Sequence, residues 1–414
     1  MQGNVRLQHN LISVDHDQRL HVMLELAAAA VAGEGRRPMA LVLVVDRSGS
    51  MHGEKLQAAA ACAAWLAERL RADDLLALVS FDDQVAVHVP MEPAGSGAVA
   101  RAVRGLRPGG STNLSGGLLR ALQLLDPLAV VAARRILLLT DGLANAGITD
   151  PGALVDLAAG AAAKGVTTTT IGFGDGFDED LLTAMADAGR GAAHYAASPD
   201  DAAGVFAEEA DDLAALVAQN VSVTIRPVHP NLTGAAILGD WPVHAADEVL
   251  RVELGDAYAG RTRRLVLALD IAGLPDLGPC QVVELVVEYT SIGDEVAQHT
   301  LHMPVTVHIG SAAEAAAAGI DTDVREEVAI LAAAKAQQDA IDAADRGDID
   351  GAKGMLRHAA AALRGVGEGS TRSAEFDERA ASMEELADVE EWRATERKNL
   401  KFQAHRAGRG RDRR

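Results

Sequence analysis

Met39-Ala-Leu-Val-Leu-Val-Val-Asp46-Arg47-Ser48-Gly49-Ser50-Met51 is the stretch on which the fold turns. Residues 39–45 are apolar without interruption, as a central parallel strand must be when helices cover both of its faces. Residues 53–71 follow with Leu56, Ala59, Ala60, Ala63, Leu66 and Leu70 at helical spacing. The strand-then-helix pattern recurs downstream. Residues 75–81, 85–89, 136–139, 166–172 and 192–196 read as strands, and 114–125, 152–164, 178–188 and 199–217 as helices. Such alternation predicts an α/β fold with a doubly wound, mostly parallel, Rossmann-like sheet over 37–217.

On either side of that unit the period changes. After about residue 216 apolar residues alternate, as in Val221, Val223 and Ile225 and again over 301–309, with Gly and Pro between runs. This predicts an antiparallel β-sandwich over 218–312. Residues 5–9 and 19–26 also look like strands, and two strands alone are not stable in water. The segment 1–36 is therefore expected to join the sandwich, making the α/β unit an insertion. Helical spacing returns over 323–345 and 349–363, with a further helix expected from 374 to about 400, so 320–400 reads as a C-terminal α-helical hairpin or bundle. The intervening Arg346-Gly347-Asp348 has the form of an integrin-binding tripeptide, but Gly closing one helix and Asp capping the next is the simpler reading.

The chemistry gathers at strand ends. Asp46, Ser48 and Ser50 lie on the loop leaving the first apolar strand; Thr112 follows Gly109-Gly110 ahead of a helix; Asp141, in Thr140-Asp141-Gly142, ends another strand. Thr112 lies 66 residues after Asp46, and Asp141 lies 29 after Thr112. In a doubly wound sheet these loops open on one edge. Two carboxylates and three hydroxyls are hard oxygen donors with neither imidazole nor thiolate, which selects Mg²⁺, or else Mn²⁺ or Ca²⁺, over zinc or copper. With so few anionic donors the ion keeps its Lewis acidity, and a position left open to solvent could take a carboxylate from a partner. The bland alternative, that Asp46, Ser48 and Ser50 merely cap the following helix, does not require Thr112 or Asp141.

Together these residues resemble the von Willebrand factor type A domain and its metal-ion-dependent adhesion site. The resemblance covers about residues 37–217 and includes 171–174 with the helix beyond. It implies that Asp46, Ser48, Ser50, Thr112 and Asp141 hold the metal directly or through water. The surface around the ion, including His52, Gly110, Asn113 and Gly142, would then meet the partner. The order of sandwich, type A domain, sandwich and helices is similar to relatives built on the same insertion plan.

Composition narrows the rest. The chain has 414 residues and a formal charge of −21, which argues against a chain-wide grip on nucleic acid or anionic lipid. No 18-residue apolar run and no secretion signal stand out, so a soluble, cytoplasmic protein is expected. Cys62 and Cys280 are too few for a disulfide framework and are read as reduced and buried. There is no Gly-Lys-Ser/Thr loop, no Gly-x-Ser-x-Gly elbow and no His-Glu-x-x-His. His302 and His308 stand six residues apart on one strand, too far to share an ion, and face outward with His299 as surface histidines. His52 is read as exposed. The basic segment 401–414 is expected to be flexible or to fold back on the acidic body, and it alone could attract nucleic acid. The expected function is non-enzymatic protein recruitment through a divalent ion, with no small-molecule substrate. The alternative is a regulatory or adaptor subunit of an enzyme complex, of the ATPase-linked or metal-insertion kind.

Overall fold

The computed structural model describes residues 1–28, 38–128, 133–174, 176–292, 296–388, 401, 404, 405 and 407–409. The chain enters through β1 (Gln2–Leu7), β2 (Leu11–Ser13) and β3 (Gln18–Ala27). The apolar run then forms β4 (Met39–Asp46), buried along its whole length. It is followed by α1 (Glu54–Ala67), β5 (Leu75–Phe81), β6 (Val85–Pro93), α2 (Ala98–Val103) and α3 (Leu114–Leu125). The α/β unit continues with β7 (Ala133–Thr140), α4 (Pro151–Ala163), β8 (Val166–Phe173), α5 (Glu179–Ala188), β9 (Arg190–Ala196) and α6 (Pro199–Ala215).

These six strands form one sheet in the order β6-β5-β4-β7-β8-β9, parallel except for the β5–β6 pair. Side chains of β4 alternate between two cores. Met39, Leu41, Leu43 and Val45 pack with residues of α1, α2 and α6. Ala40, Val42 and Val44 pack with residues of α3, α4 and α5. This is the burial on both faces that the unbroken apolar run anticipates. Helix starts are set locally: Asn113 accepts from Gly116 N, Asp150 from Ala153 N and Asp178 from Leu181 N.

Beyond α6 come β10 (Leu216–Pro227), β11 (Leu232–Leu238), β12 (Val243–Ala246), β13 (Val249–Tyr258), β14 (Thr262–Ile271), β15 (Gly278–Ile292) and β16 (Val296–Gly310). They make two facing sheets, β1-β3-β14-β11 and β12-β13-β10-β15-β16-β2, closed over one core. β1 and β3 pair antiparallel, and β2 runs parallel to β16, so the N-terminal strands contribute to both sheets. Three of these strands carry little signal in the sequence. β2 has three residues, β12 is exposed throughout, and β11 reads Leu-Thr-Gly-Ala-Ala-Ile-Leu, where small residues blur the alternation.

The C-terminal part holds α7 (Ala312–Ala317), α8 (Thr322–Asp345), α9 (Ile349–Gly367) and α10 (Ser373–Asp388). The last three pack together around Leu356, Leu363, Phe376 and Met383. Val324 and Leu331 of α8 also pack on Met23 and Val266, which point out of the sandwich. Gly347 takes φ +86° at the end of α8, and Asp348 accepts from Gly351 N at the start of α9, so Arg346-Gly347-Asp348 is a turn between helices. The expected extension of α10 to about residue 400 lies outside the described residues.

Two details correct the sequence expectations. Cys280 is half-buried, because it stands near the beginning of β15 at the margin of the sandwich core, whereas Cys62 is buried in α1. Parts of the basic segment are packed, which matches the fold-back alternative and not a free tail. Lys401 pairs with Glu179 and Asp180 of α5. His405 bridges Asp187 of α5 and Asp240 of the β11–β12 loop, and Arg409 reaches Asp187 and the Asp240 carbonyl. Burial works against a charge on His405, but its hydrogen bonds to Asp187 and Asp240 win and hold its pKa above the usual imidazole value.

The α/β unit meets the sandwich through a buried polar junction. Arg135 of β7, 2% exposed, pairs with Asp256 of β13 and lies 3.7 Å from Glu209 of α6. His194 of β9 stands 3.4 Å from the same glutamate. Burial disfavours the charge on Arg135, yet Asp256, Tyr258 and Glu209 more than offset it and raise its pKa.

Candidate functional site

In the strand order β6-β5-β4-β7-β8-β9 the chain proceeds one way from β4 to β5 and the other way from β7 onward. The topological switch therefore lies between β4 and β7, where open α/β sheets place their ligands beyond the carboxyl ends of the strands. Asp46 is the last residue of β4, and Asp141 follows the last residue of β7.

Both carboxylates are buried, at 0% and 1% exposure, and each is held by hydroxyls. Thr140 Oγ1 donates to Asp46 Oδ2 at 2.5 Å, and the Ser48 amide donates to Asp46 Oδ1 at 2.7 Å. Ser50 Oγ donates to Asp141 Oδ1 at 2.7 Å and lies 3.1 Å from Ser48 Oγ. Lys55 Nζ, from the first turn of α1, donates to Asp141 Oδ2 at 2.5 Å. Burial raises the pKa of Asp46, and the nearby Asp141 charge adds to this, against the hydrogen bonds from Thr140 and Ser48.

The third loop closes the cradle. A Cβ built on Gly142 would stand 3.2 Å from Thr112 Oγ1 and 3.3 Å from Ser50 Oγ, so all three loops converge on one spot. The 109–113 loop is tied to the first loop by backbone: Gly49 N donates to Gly110 O at 2.9 Å, and Gly109 N to Arg47 O at 2.7 Å. Asp82, just past β5, accepts from Arg47 at 2.9 Å and from Gln84 N at 2.8 Å. On the other side Asn145 Oδ1 accepts from Thr112 N at 2.7 Å, while Asn145 N and Ala146 N donate to Thr112 O.

The structure thus brings Asp46, Ser48, Ser50, Thr112 and Asp141 together. The donor set is all oxygen, two carboxylates among hydroxyls, and among the described residues no group of three or more His, Cys, Asp or Glu competes with it. That chemistry fits a hard divalent cation. Of the surrounding residues, His52 and Gly110 are exposed and Gly142 is half-buried. Asn113 is engaged in capping: its Oδ1 accepts from Gly116 N at 2.9 Å and from Ser115 Oγ at 3.1 Å. Four supporting residues were not singled out in the sequence. Thr140 and Asp82 carry the same strand-end signal as Asp46 and Asp141, whereas Lys55 and Asn145 are marked by nothing local. On β15 and β16, His299 stacks on Tyr289 and His302 pairs with Glu284, both at the surface, and His308 is exposed.

Comparison with known proteins agrees with the geometry. Residues 41–143 match the family described as von Willebrand factor type A domain. The uncharacterized protein sll0103 of Synechocystis sp. is 28% identical over 351 residues, spanning 81% of this chain and 82% of its own. A solved von Willebrand factor type A protein from Catenulispora acidiphila superposes with a TM-score of 0.72 at 16% identity, covering 93% of this chain and 96% of that one. The ArnB paralog VWA2 from Sulfolobus acidocaldarius gives 0.62 at 13% identity, covering 99% of both. At these identities the two structures speak for the fold alone. The switch-point cradle, the doubly wound sheet and the family match together show that this chain contains a von Willebrand factor type A domain.

Proposed function

We propose that this chain recruits a partner protein by metal-dependent docking, with Mg²⁺, or Mn²⁺ or Ca²⁺ in its place, held by Asp46, Ser48, Ser50, Thr112 and Asp141. The observation that carries the reading is the convergence of three loops on an oxygen-lined cradle at the switch point of the sheet. With two carboxylates among five donors, a bound divalent ion keeps a strong demand for a further anionic ligand. An aspartate or glutamate of a partner protein satisfies that demand. When bound, the ion supplies a Lewis-acidic contact. The chain's own residues do the remainder: Thr140 and the Ser48 amide orient Asp46, Ser50 orients Asp141, and Asn145 sets the Thr112 loop.

The reading is non-enzymatic. What supports it is that the carboxylates and hydroxyls of the cradle are engaged with one another, with Lys55 paired to Asp141 and Asp82 to Arg47, and that His194 and His405 lie away from it, at the junction and in the basic C-terminal segment. We place the protein in the cytoplasm on the same footing, as a proposal.

The test is direct Mn²⁺ titration of the full chain, followed by binding of an acidic partner in Mg²⁺ and in EDTA. Wild type binds Mn²⁺ at one site, and Asp46→Asn binds it at least about tenfold more weakly while retaining its circular dichroism. Equal Mn²⁺ binding by both proteins, or none by wild type, removes the proposal.

A further inference from the structure

We propose that Lys55 is a built-in cationic counterweight that makes divalent-ion binding at this site depend on an incoming carboxylate. The inference rests on the metal reading above and concerns what the ion needs once it is there. Lys55 Nζ is 2.5 Å from Asp141 Oδ2, and while the lysine side chain is 39% exposed the carboxylate has no exposed surface, so the ammonium meets a buried charge at the mouth of the site. Its stem passes close to Gly174, which has φ +66°; a Cβ there would stand 3.0 Å from Lys55 Cε and 3.4 Å from Nζ. The neighbouring cation, Arg47, is matched by its own pair with Asp82 and adds no net charge.

The charge count follows from these residues. Asp46, Asp141 and Lys55 together carry one net negative charge; adding a divalent ion reverses this to one net positive charge, which a single carboxylate neutralises. Without Lys55 the two aspartates would already balance the ion. Lys55 therefore weakens the ion on its own and strengthens the ternary arrangement of protein, ion and carboxylate. Ion and acidic ligand are coupled reciprocally, as linkage requires. In the cell this setting keeps the ion and the partner arriving together.

The experiment titrates Mn²⁺ into wild type, Lys55→Met and Lys55→Arg by calorimetry, with and without acetate as the probe carboxylate, and follows folding by circular dichroism. Lys55→Met is expected to bind Mn²⁺ roughly tenfold tighter than wild type, since a like charge close to the ion has been removed. Acetate is expected to tighten Mn²⁺ binding several-fold in wild type and in Lys55→Arg, and by a smaller factor in Lys55→Met. If Lys55→Met binds Mn²⁺ as wild type does, or more weakly, Lys55 is no counterweight and the inference falls while the metal reading stands. If none of the three proteins binds Mn²⁺, the metal reading falls and takes the inference with it.

Discussion

Replacing Arg135 by methionine tests how dry the junction between the type A domain and the sandwich is. Arg135 is 2% exposed and faces Asp256 of β13, in the sandwich, and Glu209 of α6, in its own unit, themselves 3% and 4% exposed. Methionine keeps much of the stem volume, so the loss is mainly electrostatic. Removing one partner of a buried ion pair typically costs about 3–5 kcal/mol, and here His194, 3.4 Å from Glu209, remains beside the acids. With a urea slope of about 2–3 kcal/mol per molar, the midpoint falls by roughly 1–2 M. Because Arg135 joins β7 to β13, both units should lose stability together, seen as coincident transitions in circular dichroism and in tryptophan fluorescence (Trp65 in α1, Trp241 near the sandwich core). A cycle with Asp256→Asn isolates the pair, and a coupling of about 1–3 kcal/mol is expected. A midpoint within about 0.3 M of wild type, or a coupling below about 0.5 kcal/mol, would show that water screens these charges and would refute the argument.

Gly109→Ala places a Cβ 1.7 Å from the Asp82 carboxylate, so the loop must shift; Mn²⁺ affinity should drop several-fold with a stability loss of about 1–3 kcal/mol by calorimetry, and unchanged affinity would show that this loop does not position Thr112. His405 has a raised pKa in the folded chain, so its contribution is complete below about 6.5 and is lost as pH rises through the folded value. Asp240 is shifted down by its hydrogen bond to His405, so its share is present above about 4 and is lost on acidification. Arg409, which also pairs with Asp187, completes the cluster around His405. Hydrogen exchange at 404–409 should therefore speed up from about pH 6 to about pH 9 beyond the intrinsic rate change, and His405→Gln should abolish that excess. An excess that survives in the variant would assign it to another group.

Much of the architecture was legible because it is encoded by neighbours in sequence. Seven apolar residues in a row, too short for a buried helix and followed by a helical pattern, fit a strand covered on both faces, and β4 sends its side chains alternately into two cores as that requires. Asp348 could be read as a helix start because a cap acts within three residues, and Asn113, Asp150 and Asp178 do the same in the structure. Asp46, Ser48, Ser50 and Asp141 of the candidate site could be read together because a doubly wound sheet delivers every parallel strand's carboxyl end to one edge, whereas Thr112 was placed there by its Gly-rich loop and the resemblance. β11 and β12 escaped because a strand of small or exposed residues has no alternation to detect.

The rest depends on which groups face one another across elements distant in the chain, and no local pattern encodes that. Lys55 reaches Asp141 over 86 residues, Arg135 meets Asp256 over 121, and His405 meets Asp240 over 165. A lysine on a helix or an arginine on a strand looks alike in sequence whether solvated or paired. Burial turns the pairing into energy: in a desolvated site a charge must find its counter-charge, and packing decides which groups lose their water. Residue order thus determined the strands, caps and edge of this protein; the charge balance of its site and the coupling between its units came from the way those pieces close on one another.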